Sequence, residues 1–265
     1  MSLEYLANNN KHKRDSSISF QDKGHIYTIK HSGCLDGDTG FTSVTTFIHS
    51  FIESFNADKI INNMMSSSKW SNNKYYGLSK SEIIQLWNTN GDEAACAGTK
   101  MHYDIECFYN NMKVINNSIE YNYFINFYNN HNYLTPYRSE WIIYDEDLRL
   151  AGSIDMVFIN SDNTLEIYDW RRCKDIVKNT KWNKWMNNPI ISHLPDTNFW
   201  HYSLQLNIYK AILIRKYGEN VGNLYLVCLH PNNNNNNYIK ISVPNLQEEV
   251  LQLFHEREKM INNDK

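Results

Sequence analysis

With 265 residues, 42% of them hydrophobic, the chain has material for one large domain or two small ones and for a core of ordinary size. Its formal net charge of −3 excludes a global basic field, so any contact with nucleic acid must come from a local patch. The five cysteines stand singly without a CxxC pair, which argues against a zinc ribbon or an iron–sulfur site and for a reducing compartment. No signal-peptide-like or bilayer-length apolar run occurs, so the expectation is a soluble, intracellular protein that does not engage a membrane. The abundant Asn, up to the run at 232–237, reads as genome bias rather than function.

In chain order, residues 1–19 are polar and aperiodic and read as a loose arm. Residues 25–31 alternate as a strand, followed by a Gly- and Asp-rich turn through Gly40. Phe47, Ile48, Phe51, Ile52 and Phe55 fall at helical spacing, and a second helix starts near Asn56 and ends near Met65. Residues 66–73 are a loop. A further helix is capped by Ser79 or Ser81 and closed by Gly91. The next, over 92–110, carries Gly98, His102 and Glu106; the last two are i and i+4 and share a face, and Gly98 removes bulk one turn earlier. A lone His on a helix is more often a surface or core residue than a ligand, but the nearby acids shift the balance toward a site. Residues 121–133 form an aromatic helix for core packing.

The stretch 149–174, RLAGSIDMVFINSDNTLEIYDWRRCK, organises the rest. Strands over 138–144, 149–159 and 164–171 make an antiparallel meander joined by an acidic turn and an Asn/Asp/Ser turn. Alternation sets Asp155 on the face opposite Ile154, Met156 and Phe158, while Leu165, Ile167, Asp169 and Arg171 share a face. An isolated Asp on a strand is more often a solubilising charge. Both of these interrupt apolar runs, where an unpaired carboxylate is costly, so a divalent-metal site is the better reading. Glu140, at the meander's entrance, could face the same cleft.

Beyond Trp170 the charge changes. Arg171, Arg172, Lys174, Lys178, Lys181 and Lys184 oppose only Asp175, with Trp182 and Trp185 interleaved, a composition that suits a sugar–phosphate backbone and exposed bases. A solvated basic loop is an equal alternative. The helix over 198–217 has Leu204, Ile208, Ala211 and Ile212 as its apolar stripe, Gln205 and Tyr209 beside it, and Gly218 as its stop. Strands over 223–230 and 238–243 and a closing amphipathic helix over 246–261 complete the chain, with no internal repeat.

The order GTKMH, Glu140, AGSID, YDWRRCK, QLNIY resembles the RecB-type branch of the PD-(D/E)XK nuclease superfamily, which includes the CRISPR-associated exonucleases. The N-terminal SVTTFIHSF and the Asn-rich style look most like nucleases of this branch from giant DNA viruses. That resemblance implies an α/β fold: a helix, a three-strand meander, a helix and a strand, with residues 1–91 as N-terminal arm and helical embellishment and 92–265 as the nuclease core. It implies Mg²⁺ or Mn²⁺ held by His102, Asp155 and Asp169 with the Trp170 carbonyl. Glu140 and Glu106 would be further acids, and Gln205 and Tyr209 would order the site or contact DNA. It further implies phosphodiester hydrolysis, mostly from DNA ends, with DNA as partner, a homo-oligomer as one option, a role in viral defence, and the cytoplasm or viral factory of an infected cell as location. The four cluster-binding cysteines of the CRISPR-associated enzymes have no counterpart here, so no iron–sulfur cluster is expected.

One position departs from the pattern. The family's lysine is Arg171, which keeps its proton and is bulkier, a poor proton shuttle though still a counter-charge for phosphate. Lys174 lies three residues on and should point to the other strand face. The departure fits a natural variant of reduced activity or a substitution that traps an inactive enzyme. Beside the nuclease stand two alternatives: a DNA-end-binding protein of the same fold with little catalysis, and a metal-binding or scaffold protein that binds no DNA.

Overall fold

The computed structural model describes residues 3–21, 23–31, 34–180 and 184–263. The N-terminal segment is docked rather than loose. Leu6 of α1 (Tyr5–Asn9) is buried, and Asp15 accepts hydrogen bonds from Arg138 Nη1 (2.8 Å) and Trp141 Nε1 (3.1 Å). A short polar segment has no hydrophobic periodicity to betray such docking; Asn10, whose Nδ2 donates to the Tyr137 carbonyl (2.8 Å), and Arg14, paired with Glu146 (2.5 Å), share it with Leu6 and Asp15. Strands β1 (Ile18–Gln21), β2 (Ile26–His31) and β3 (Cys34–Asp38) form a small antiparallel sheet, so the stretch expected as a turn before Gly40 contains a strand.

Strand β4 (Thr42–Ser43) leads into α2 (Val44–His49), whose first turn is capped by the Ser43 side chain accepting from Thr46 N. The helix is shorter than the spacing of its aromatics suggests. Ser50 Oγ donates back to the Phe47 carbonyl (2.6 Å), a local bond that competes with helix continuation, and Phe55 is exposed. Helix α3 (Ala57–Met65) follows. Helix α4 (Lys80–Tyr109) is one element of 30 residues, about 45 Å long, where two helices broken at Gly91 were expected. A capping box between Ser79 and Glu82 starts it, and with no proline inside, Gly91 costs only about 1 kcal/mol relative to alanine, too little to stop it. The expected boundary at residues 91 and 92 therefore falls within a helix. Helix α5 (Ile119–Asn130) packs its aromatic face inward.

The meander forms as expected: β5 (Thr135–Asp145), β6 (Leu150–Ile159) and β7 (Leu165–Arg171), each antiparallel to the next. Helix α6 (Asn198–Ile212), extended by a π-turn to Tyr217 and closed by left-handed Gly218, crosses to β8 (Val221–Cys228), parallel to β7. Strand β9 (Ile239–Ser242) lies antiparallel on β8, and α7 (Gln247–Asn263) closes the chain. The sheet is sandwiched. Met101, Ile105 and Tyr109 of α4 and Phe124 and Phe127 of α5 pack on one face against Met156, Phe158, Tyr168 and Trp170. On the other face α2, α6 and α7 pack against Trp141, Ile143, Ile154, Val157, Leu165 and Ile167. The chain is thus a mixed α/β protein, and no helix among the described residues is long and apolar enough to cross a membrane.

Candidate metal centre

The site sits where the central strand loses a neighbour. Strand β5 runs along one edge of β6. On the other edge β4 pairs only with Leu150 and Ala151, and β7 only with residues from Met156 onward. Residues 152–155 of β6 therefore face a gap between two strand ends. There the Trp170 backbone N–H donates to Asp155 Oδ2 (2.8 Å), so a side-chain oxygen takes a strand donor as β7 diverges. Gly152 is required in the gap by close approach: a Cβ there would lie 2.6 Å from Tyr209 Cε1.

Glu140 and Asp155 are opposite one another on β5 and β6, between the pairs Ser139↔Met156 and Trp141↔Ile154. Glu140 has φ 43°, a left-handed conformation that an ordinary residue in a strand adopts at a cost of about 1–3 kcal/mol. Alternation breaks on both strands here. Ser139 Oγ accepts from Asn110, the residue that caps the end of α4, while Glu140 faces His102 of that helix. Asp155 faces His102, and the adjacent Met156 packs on Met101 and Ile105. Asp155 is thus opposite Ile154, as expected, but on the same side as Met156, which strict period-two alternation excludes.

This kink builds a cluster. His102 Nδ1 lies 3.5 Å from Asp155 Oδ2 and 3.6 Å from Glu140 Oε1, and one ligand atom from each of the three falls within 4.8 Å of the others. Ser153 Oγ donates to Glu140 Oε2 (3.0 Å) and fixes it. Burial alone would push the His102 pKa down, but Asp155 and Glu140 outweigh it and hold the imidazolium up to about 9. Burial raises the Asp155 carboxyl. Glu106, one turn along α4, lines the same cavity of about 480 Å³ and is pushed up to about 7 by burial and by Glu140. Gly98 borders this cavity too, yet nothing lies within 4 Å of where its Cβ would be; it leaves space open rather than admitting a close neighbour.

Asp169, expected as a ligand, does not join the cluster. It lies on the α6 side of β7, and Nε and Nη2 of Arg171 face its two carboxylate oxygens, with Nη2 2.8 Å from Oδ1. Burial raises the Asp169 carboxyl to about 7 despite that guanidinium. Arg171 Nη2 also donates to Gln205 Oε1 (2.6 Å), Gln205 Nε2 donates to the Tyr209 hydroxyl (2.9 Å), and the guanidinium lies 4.0 Å over the Tyr202 ring. Gln205 and Tyr209, four residues apart on α6, thus meet as the helix spacing suggested, and Gln205 links the pair to Arg171. Trp170 contributes its N–H to Asp155 while its ring is buried among Tyr109, Phe124 and Phe127.

The basic loop is less uniform than its composition. Arg172 is committed to Glu120 (2.7 Å), with both side chains largely buried. Lys178 lies over the Phe199 ring, Lys184 is 3.6 Å from Glu53, Lys174 is exposed, and Trp185 is half exposed beside Pro195. Lys181 and Trp182 lie outside the described residues. Three groups escaped the sequence reading. Tyr202 had a signal, standing three residues before Gln205 on the same helix. Ser153 had a weaker one inside AGSID. Thr45 Oγ1, 3.5 Å from Gln205 Nε2 across 160 residues, had none. Nor did spacing suggest that the Cys173 and Cys228 sulfurs lie 3.3 Å apart.

No family model matches the chain, and no curated protein matches it. One solved structure, described as "Crystal structure of SSO0001", has a TM-score of 0.35 to it at 12% identity, over 84% of this chain and 77% of that one. A likeness at that level carries no argument.

Proposed function

We propose that the chain is a divalent-metal-dependent deoxyribonuclease of the RecB-like branch of the PD-(D/E)XK superfamily, acting from DNA ends. The observation that carries this reading is the convergence of His102, Glu140 and Asp155 within 4.8 Å, beside Asp169 and Arg171, in the gap where β7 leaves β6. Helix, meander, helix and strand follow in the order the superfamily core requires. One imidazole nitrogen and two carboxylates form a donor set that suits Mg²⁺ or Mn²⁺, and the crowded acids around them, with carboxyl pKa values driven up, call for a cation. His102, Glu140 and Asp155 would hold it, a smaller and partly different set from the one the family motif implies. A divalent ion bound there supplies Lewis-acid polarisation of the phosphodiester and acidifies water.

The chain's own groups do the rest. The Trp170 N–H and the Ser153 hydroxyl orient the Asp155 and Glu140 carboxylates. Glu106, with its carboxyl near neutrality, takes the proton of an attacking water at pH 7–8. Arg171, held in place by Asp169, Gln205 and Tyr202, sets a fixed positive charge beside the phosphate. The test is digestion of end-labelled linear and covalently closed circular DNA with and without Mn²⁺. Loss of label from the linear form alone, only with Mn²⁺, is expected; no binding and no cleavage of either would end the reading. The grip of Arg171 on Asp169 favours one second reading, an end-binding protein with slow turnover, which would retard linear DNA without strand loss.

A further inference from the structure

A second cavity, of about 200 Å³, opens on the other side of Arg171, between α2 and the start of α6. Thr45, His49, Arg171, His201, Tyr202 and Gln205 line it, and no carboxylate does. Two acids lie close by, each paired with a lining group: Asp169 with Arg171, and Asp196 with His201 Nε2 (2.7 Å). Arg171 uses Nε and Nη2 for Asp169 and Gln205, so its Nη1 has no hydrogen-bond partner among the described residues. Asn198, the first residue of the 15-residue helix α6, also lines the cavity. That helix start lacks a side-chain cap: Thr197 makes no capping bond, and its Oγ1 is buried without a hydrogen-bond partner. Two imidazoles, a guanidinium edge and the uncapped positive end of a helix thus converge on one small concavity, an arrangement that favours a compact anion.

We propose that this cavity receives the terminal phosphate monoester of a nucleic-acid strand. A monoester carries more charge than an internal diester and ends the chain, so it suits a small, donor-lined concavity of this size. The assignment rests on the nuclease reading and gives the substrate's end an address, with Arg171 bordering both this cavity and Asp169.

The experiment is fluorescence anisotropy in EDTA, where cleavage is stopped, using one oligonucleotide sequence ended by a 5′-phosphate, a 3′-phosphate or hydroxyls only. One phosphorylated form should bind at least about tenfold more tightly than the hydroxyl form, the scale of one or two charge-assisted hydrogen bonds, and which one it is assigns the end. His49→Ala, at an exposed position, and separately His201→Ala should shrink that preference to threefold or less while hydroxyl-ended affinity stays within twofold. Equal binding of all three forms by the unaltered protein overturns the proposal. So does a preference that survives in the correctly folded His49→Ala and His201→Ala proteins. If the folded protein binds none of the three, the nuclease reading fails and this proposal with it.

Discussion

Replacing Arg171 by lysine tests the central departure from the superfamily pattern. The guanidinium pairs with both oxygens of Asp169, donates to Gln205 Oε1 at 2.6 Å and stacks 4.0 Å from the Tyr202 ring. An ammonium keeps the charge but cannot face two carboxylate oxygens and an amide oxygen in one plane, and it loses the stacking. One charge-assisted hydrogen bond and one cation–π contact are worth about 2–4 kcal/mol when fully desolvated. The Arg171 side chain is 22% exposed, so about 1–2 kcal/mol of stability is the expected loss, a few degrees of melting temperature. In exchange the Asp169 carboxylate is released from its clamp. Arg171→Lys should therefore raise Mg²⁺- or Mn²⁺-dependent cleavage at least about tenfold, equivalent to about 1.4 kcal/mol off the barrier, with DNA affinity nearly unchanged. Single-turnover cleavage of a labelled duplex by both proteins at equal occupancy measures this. Arg171→Ala is the control: it leaves Asp169 buried without its counter-charge and should be slower and less stable than either. A lysine form no faster than the arginine form, with intact Mn²⁺ binding, would refute the reasoning.

Asp155→Asn should keep an oxygen for the Trp170 N–H and hence the fold, yet weaken Mn²⁺ binding by at least about a hundredfold, read by calorimetry; Asp169→Asn should change it only a fewfold. Equal losses in the two would restore Asp169 as a ligand. Because Asp155 and Glu140 hold His102 protonated up to about 9, binding must displace that proton, so apparent Mn²⁺ affinity should rise by up to about tenfold per pH unit between pH 6 and 8. A flat profile would mean that His102 is not a ligand. Gly152→Ala should drive Tyr209 out of place and cost about 1–3 kcal/mol, seen as a fall of several degrees in melting temperature; an unchanged melt would show that the Tyr209 ring moves freely.

The elements that carry the site were readable because each rests on a local period. Leu165 and Ile167 face the same core that Asp169 and Arg171 extend, as a two-residue repeat requires, and Gln205 and Tyr209 meet because they are four apart on a helix. What failed to read was non-local or against preference. Gly91 looked like a stop, but a lone glycine is a small penalty in a long helix fixed by packing and a capping box. Glu140 joins His102 and Asp155 through a left-handed backbone that no glycine or asparagine announces, and the same kink puts Asp155 and Met156 on one side of β6. The hardest point to read was the partner of Asp169. A two-residue step makes Asp169 and Arg171 neighbours on one face whatever the side chains are. With lysine at 171 a single flexible ammonium would share the carboxylate loosely. A guanidinium has the reach and the planar fork to match both oxygens at once, while Gln205 and Tyr202 fix its far edge. Asp169, which strand alternation sets on the α6 side of β7, is thus clamped there, and the cluster around His102 is completed from β5 by Glu140.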